Sequence, residues 1–236
     1  GLRFDTSIFT NLSRDHLDYH KTYKDYFDSK LILFNKLTKK RGTIIYDNDI
    51  SHAKTIKKIC TNKRLKSLTI GKKNSNLIIK KHEYVGNLQT VEIEFNNKKY
   101  SFSTSLIGKL QVKNLLFAIL AASKSKINFN KIVGSISSIK PVEGRLESVG
   151  NIKNNSKVIL DYAHTPDALK YTLESIKEQF NQSSISIVFG CGGNRDRDKR
   201  PIMGKIANQY CNKIFLTDDN PRYENPKKIR NQIKEK

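Results

Sequence analysis

Lys213-Ile214-Phe215-Leu216-Thr217-Asp218-Asp219-Asn220-Pro221-Arg222 joins a short apolar run to two carboxylates, an amide, a rigid turn and a guanidinium. The run reads as a buried strand and the polar end as the turn that follows it. Pro221 fixes its own φ and biases Asn220 away from helix, so the polar groups stand in a defined turn. Arg222 can grip a carboxylate with two parallel hydrogen bonds, while Asp219 and Asn220 suit an ammonium or an amide. That combination would fit an amino acid. Taken alone, a turn whose Asp and Asn cap the next helix is the simpler reading.

The same pattern stands twice upstream. Val158-Ile159-Leu160 precedes Asp161-Tyr162-Ala163-His164-Thr165-Pro166 and a helix to about residue 180. Thr165 is a good N-cap there, and Pro166 suits the first helical position. Ile185-Ser186-Ile187-Val188-Phe189 precedes Gly190-Cys191-Gly192-Gly193-Asn194-Arg195-Asp196-Arg197 and a helix opening near Pro201. Short apolar strands alternating with helices imply an α/β fold with a parallel sheet and right-handed crossovers. In such sheets ligands sit outside the carboxyl ends of the strands. Asp161 and His164, the 190–197 loop and the 219–222 turn should therefore line one edge and one crevice. Unrelated capping turns would not concentrate Asp, His, Arg and Asn so strongly, and the functional reading now outweighs the capping one.

The first half of the chain adds fewer chemical groups. Residues 5–10 read as a strand leading into a turn at 14–20 that holds two histidines, two aspartates and an arginine. His16, between Asp15 and Asp18, suits a metal ligand or an acid/base as well as a solvated loop. Thr22 with Asp25 makes a capping box. Tyr23, Phe27, Lys30 and Phe34 then share one helix face. Lys30 interrupts that aromatic stripe: it either snorkels outward or stays inside, where desolvation would leave a neutral amine for carbamate formation.

Strands are expected at 42–46 and 67–70, a helix at 50–60, and a β-hairpin about Asn96-Asn97. An apolar helix after Gly108 carries Asn114 near its first turn, as a cap by default or reaching a ligand. The polar residues after the turn at 141–147 mark a domain boundary, giving domains 1–147 and 148–236.

Composition narrows the function classes. A length of 236 residues and 37% hydrophobic content suit one large or two modest folded domains. No apolar stretch approaches membrane-spanning length and no signal-peptide pattern opens the chain. Lys and Arg number 44 against 22 Asp and Glu, a net charge of +22. The lysines are scattered beside Asn and Ile rather than gathered in a stripe, which fits base-compositional bias in the gene better than a nucleic-acid face; phosphorylated substrates would still be attracted. Cys60, Cys191 and Cys211 lack the spacing of a zinc site or disulfide framework, which favours a reducing cytoplasm. Cys191 reads as a small residue filling a tight turn rather than as a reactive thiol.

With these motifs in hand, Phe9-Thr10-Asn11-Leu12-Ser13-Arg14-Asp15-His16-Leu17-Asp18-Tyr19-His20, Asp161-Tyr162-Ala163-His164-Thr165-Pro166, the 190–197 loop and Asp219-Asn220-Pro221-Arg222 together resemble the Mur ligase family. The resemblance spans residues 5–226. Within the family it is closest to the members that add a diamino acid to UDP-N-acetylmuramoyl-L-alanyl-D-glutamate. It implies the later part of a central ATPase-type domain followed by an incomplete Rossmann-like C-terminal domain. It also implies ATP and Mg²⁺ as cofactors, an acyl-phosphate intermediate, meso-diaminopimelate as acceptor, a monomer, and neither nucleic-acid nor membrane partners.

Carried over residue by residue, His16 and Lys30 (as a carbamate) resemble the family's metal-holding, catalytic pair. Asn114 resembles the residue near adenine, though Leu110-Gln111 stands where the family usually has Phe-Asn. Arg145 resembles the arginine at the nucleotide phosphates, Asp161 the aspartate at the ribose, and His164 the histidine beside the nucleotide. Arg195, Asp219, Asn220, Pro221 and Arg222 resemble the residues that recognise diaminopimelate. Arg222 is what diaminopimelate-adding members carry; lysine-adding members usually lack it.

The Walker A loop, the UDP-binding domain, the metal-binding glutamate and a later glycine/glutamate segment have no counterpart in these residues. The expectation is therefore a fragment, inactive alone. Lysine-adding members, folylpolyglutamate synthases and, remotely, a basic nucleic-acid-binding α/β protein are the alternatives.

Overall fold

In the computed structural model, which describes residues 1–12, 19–152 and 156–235, the chain divides into two units, Gly1–Lys140 and Pro141–Lys236. That break precedes the boundary read from the sequence at 147/148. Residues 141–146 lead directly into a strand of the second unit.

The first unit is organised on one six-stranded sheet in the order β1 (Phe4–Phe9), β2 (Thr38–Asp47), β3 (Lys66–Gly71), β4 (Leu77–Val85), β5 (Leu88–Phe95), β6 (Lys98–Thr104). The first three ladders are parallel and the last two antiparallel. Successive residues of β2 point to opposite faces. Ile45 joins Ile70, Leu77 and Val91 against α3 (Lys109–Ala122), whereas Ile44 and Tyr46 join Phe27, Phe34 and Ile56 of the opposite layer. That second layer holds α1 (Tyr23–Ile32) and α2 (Ala53–Asn62). Both faces of β2 are thus covered, which is why it reads as a continuous apolar run.

Thr22 caps α1 by accepting the Asp25 N–H at 3.1 Å. The helix widens into a π turn over Leu33–Leu37, whose Leu33 carbonyl accepts the Thr38 hydroxyl at 2.9 Å. Asn96 and Asn97 both take left-handed φ, 50° and 59°. This is the two-residue turn that follows the right-handed twist of its strands. Strand β4 extends the expected hairpin to a three-stranded meander. A short helix, α4 (Phe129–Gly134), completes the unit.

The second unit runs β7 (Glu147–Ile152), β8 (Ser156–Leu160), α5 (Pro166–Gln179), β9 (Ser186–Phe189), α6 (Lys199–Tyr210), β10 (Lys213–Leu216), α7 (Pro226–Lys234). Leu169, Leu173, Met203, Ile229 and Ile233 pack together as its core. The strand–helix alternation is as read from the sequence, and Thr165 caps α5 with Pro166 first in the helix. Two details differ. The polar residues read as a domain boundary contribute Gly150, Asn151, Ile152 and Ser156 to the β7–β8 ladder, and β8 pairs antiparallel with β7 rather than with β9. Strands this near in sequence meet at little cost in chain entropy, so a local partner is readily found. Among the described residues, the parallel ladder of this unit is β9 with β10.

Candidate functional site

Strands β9 and β10 run in register with Phe189 beside Leu216, so the segments that follow them start side by side. The Thr217 N–H donates to the Phe189 carbonyl at 3.0 Å, and beyond it the turn folds onto the glycine loop. Gly193 N–H donates to the Asn220 carbonyl at 2.8 Å, and Arg222 Nη1 donates to the Gly193 carbonyl at 2.7 Å. Such closeness requires glycine: a Cβ on Gly193 would stand 1.8 Å from the Pro221 carbonyl oxygen. Asn194 and Arg222 both adopt left-handed φ, 51° and 50°.

The expected acceptor residues are therefore gathered at one strand end. Arg222 spends one guanidinium nitrogen on Gly193, and its backbone N–H donates to Asn220 Oδ1 at 3.3 Å. Asp218 is paired with Arg230 of α7. Asp219 and Arg195 are exposed and form no hydrogen bond or ion pair among the described residues. The turn thus carries an exposed carboxylate and the loop an exposed guanidinium, neither engaged among the described residues. Cys191 is buried, with its Sγ 3.8 Å from Met203 Sδ, and burial pushes its thiol pKa up. It packs as a small apolar group.

A second cluster follows β8. Asp161 accepts the Leu146 N–H at 3.0 Å on one oxygen and the Thr172 hydroxyl at 2.7 Å on the other. The Arg145 guanidinium lies 4.5 Å from the centre of the Tyr162 ring. His164 Nδ1 is 3.1 Å from the Tyr162 carbonyl, and Lys199 Nζ donates to the His164 carbonyl at 2.8 Å. That last bond ties the β8 end to the start of α6. A carboxylate keeps further lone pairs after accepting two bonds, so the cluster offers an acceptor, a guanidinium, an imidazole and an aromatic ring together.

Sequence reasoning missed one feature of this unit. Arg200 is fully buried, and each of its terminal nitrogens meets one oxygen of Glu224 at 3.0 Å. The Arg200 guanidinium, and then the Asn194 N–H, hold the Glu224 carboxyl down to about 2. The signal was available: Arg200, Met203 and Ala207 share the buried face of α6, and an arginine on such a stripe asks for a partner.

In the first unit, Lys30 is half-buried with its ammonium 4.8 Å from the centre of the Tyr26 ring. Asn114 does not cap α3; Gly108 occupies that position, and Asn114 lies inside the helix with its side chain exposed. It lines an open cleft of about 370 Å³ with Ile8, Thr10, Asn11, Leu110 and Phe117. At the end of β2, buried Asp47 pairs with Lys113 of α3 and accepts the Asp49 N–H at 2.7 Å. His16 lies outside the described residues. Among the described residues, no group of three or more His, Cys, Asp or Glu side chains is placed to hold a metal, and no helix is long and apolar enough to cross a membrane.

Residues 1–122 match the Mur ligase middle domain, and residues 144–236 match the Mur ligase glutamate ligase domain. The chain belongs to the Mur ligase family. A UDP-N-acetylmuramoyl-L-alanyl-D-glutamate--2,6-diaminopimelate ligase of Rickettsia bellii (strain RML369-C) is 40% identical over 98% of this Mur ligase chain and 48% of its own. A solved structure of a ligase with the same name is 31% identical, with a TM-score of 0.66 over 97% of this chain and 47% of that one. The fold is shared with a MurF ligase from Thermotoga maritima in complex with ADP, at 15% identity and a TM-score of 0.70 over 92% of this chain and 53% of that one. The Mur ligase chain thus spans about half the length of the relatives it matches.

Proposed function

We propose that this chain is part of an ATP-dependent ligase that adds meso-2,6-diaminopimelate to UDP-N-acetylmuramoyl-L-alanyl-D-glutamate through an acyl phosphate. The observation that carries the reading is the loop–turn junction, where Arg222 is held against Gly193, with Arg195 exposed on the same loop and Asp219 exposed on the same turn, neither paired among the described residues. Diaminopimelate has two carboxylates and two amines. Arg222 keeps donors beyond the one given to Gly193 and takes a carboxylate; Asp219 takes an ammonium. Arg195 supplies a second cation. Asn220 and Pro221 set the shape of the turn.

ATP, when bound, supplies the phosphoryl group that converts the terminal carboxylate of the dipeptide into a leaving group. The donor set of the second unit fits a nucleotide: Asp161 retains lone pairs that ribose hydroxyls would use, the Arg145 guanidinium at the Tyr162 ring would meet phosphate, and His164 would lie beside the nucleotide. Taken by itself, the apolar cleft of the first unit, with the Asn11 and Asn114 amides, suits a planar ring. The described residues alone do not make a Mg²⁺ site. Mg²⁺ would be held by His16 and by Lys30 as a carbamate, because an unmodified ammonium repels a cation. Holding the acceptor amine in line with the activated carbonyl supplies the proximity such a ligation needs. The amine nitrogen then forms the amide bond as phosphate departs and the amine loses its proton. Cys60, Cys191 and Cys211 are free thiols, the state a reducing cytoplasm maintains, and we read the ligase as a cytoplasmic monomer; sedimentation at a dimer mass would overturn the monomer.

The test offers meso-diaminopimelate and L-lysine separately to the intact protein, as wild type and as Arg222→Ala. Wild type should prefer diaminopimelate. The variant should lose about 2–5 kcal/mol of that preference, the usual cost of leaving a bound charge unpaired. Equal use of both acceptors by wild type would refute the reading.

A further inference from the structure

The acceptor reading leaves a buried charge without a task. Arg200 has no exposed side-chain surface, and its Nη1 and Nη2 meet the two Glu224 oxygens at 3.0 Å each. Nη2 also donates to the Gly192 carbonyl at 3.0 Å, and Nη1 to Gln232 Oε1 at 2.5 Å. Glu224 in turn accepts the Asn194 N–H at 2.6 Å and faces Arg197 Nε at 3.4 Å. One guanidinium therefore joins α6, the glycine loop, the end of the turn and α7.

Stability alone does not account for this pair. Desolvation cancels much of the attraction between buried ions, and well-packed apolar side chains of equal volume commonly do as well. Arg200 Nε, also buried, has no hydrogen-bond partner among the described residues. The guanidinium is thus oriented for its two terminal nitrogens and leaves its third donor unmet. What an apolar pair cannot supply is a fixed fork aimed at chosen loop atoms. The fork reaches Gly192 on one side and Glu224 on the other. Asn194 then accepts the Tyr223 N–H at 3.2 Å. Arg222 lies between residues fixed on both sides, and Arg195 follows directly on Asn194.

We propose that the Arg200–Glu224 pair is a positioning device that sets the spacing between Arg195 and Arg222, and so the length of dicarboxylate acceptor the site reads. The proposal rests on the acceptor reading above. Arg200 touches no substrate; it acts through the Gly192 carbonyl and Glu224.

The experiment uses the intact protein with Glu224→Gln, which keeps the volume, and Arg200→Lys, which keeps the charge but not the fork. Both should raise KM for meso-diaminopimelate at least tenfold, with KM for ATP and kcat at saturating acceptor within twofold of wild type. Hydrogen exchange at the Gly193 and Asn194 amides should speed up while the α5 amides keep their protection. Faster exchange with unchanged acceptor KM overturns the proposal, as does a uniform loss of kcat and of every KM alongside a lowered Tm. Should both variants fail to fold, Asn194→Gly removes the link to Tyr223 on an exposed residue; it should raise acceptor KM about threefold, and no change overturns the proposal. A wild type that does not use meso-diaminopimelate refutes the acceptor reading instead, before any variant is made.

Discussion

Gly193→Ala is the sharpest probe of how the glycine loop meets the turn. The added Cβ would lie 1.8 Å from the Pro221 carbonyl oxygen and 2.6 Å from its carbon, where ordinary contact begins near 3.4 Å. Both obstructing atoms are backbone, so no side chain can swing aside and the segments must part by about 1.5 Å, the shortfall from van der Waals contact. Separation on that scale breaks the Gly193–Asn220 bond of 2.8 Å and the Arg222–Gly193 bond of 2.7 Å. Each lost bond costs about 1 kcal/mol, and forcing an extra methyl into a packed site adds about 1–3 kcal/mol. A destabilisation of about 4 kcal/mol lowers Tm by about 8–16 °C for a chain of this size. Thermal unfolding followed by circular dichroism measures it. Gly134→Ala in α4 is the control, since its Cβ meets nothing within 4 Å; it should stabilise by about 0.4–1 kcal/mol. A Gly193→Ala protein melting within about 2 °C of wild type would refute the close-approach argument.

Two further outcomes follow from the charges. Glu224 titrates at about 2 when folded, below the 4.5 of a free carboxyl, because Arg200 and then the Asn194 N–H stabilise its anion. Its stabilising contribution is therefore complete above pH 4.5 and is lost as pH falls towards 2. Denaturant titrations across that window should show a shallower acid decline for Glu224→Gln than for wild type, and parallel curves would contradict the assignment. Lys30, in the intact protein supplied with ¹³C-bicarbonate, should give a carbamate carbon resonance that Lys30→Arg lacks; its absence from wild type removes Lys30 from the metal-binding proposal.

The strand–turn–helix alternation of the second unit was legible because each strand is short and apolar and each turn ends in a residue with a local job, such as Thr165 capping α5. The Asn96-Asn97 hairpin was legible because few residues tolerate two left-handed positions in succession. The partner of β8 was not, since the apolar content of Val158-Ile159-Leu160 suits either neighbour and register is a tertiary choice. Asn114 illustrates the same limit: an Asn early in a helix suggests a cap, but Gly108, at φ 85°, had already taken that position. The Arg200–Glu224 pair escaped notice because its members belong to different elements, joined only by the fold. A motif read along the chain identifies the residues that face a ligand more readily than those that brace them from behind.

The left-handed backbone of Arg222 carries a consequence for evolution and engineering. At φ 50° an L-residue crowds its own Cβ against the following carbonyl, a strain of about 1–2 kcal/mol that glycine would not bear. Glycine would shed that strain, and turns of this kind commonly use it, but it would also give up the Arg222–Gly193 bond of 2.7 Å, worth about 1 kcal/mol. The guanidinium therefore offsets, through Gly193, much of the strain its own backbone carries. A stabilisation campaign drawn to position 222 by its backbone would gain little from glycine there, and on the acceptor reading proposed above it would lose the guanidinium that takes the carboxylate.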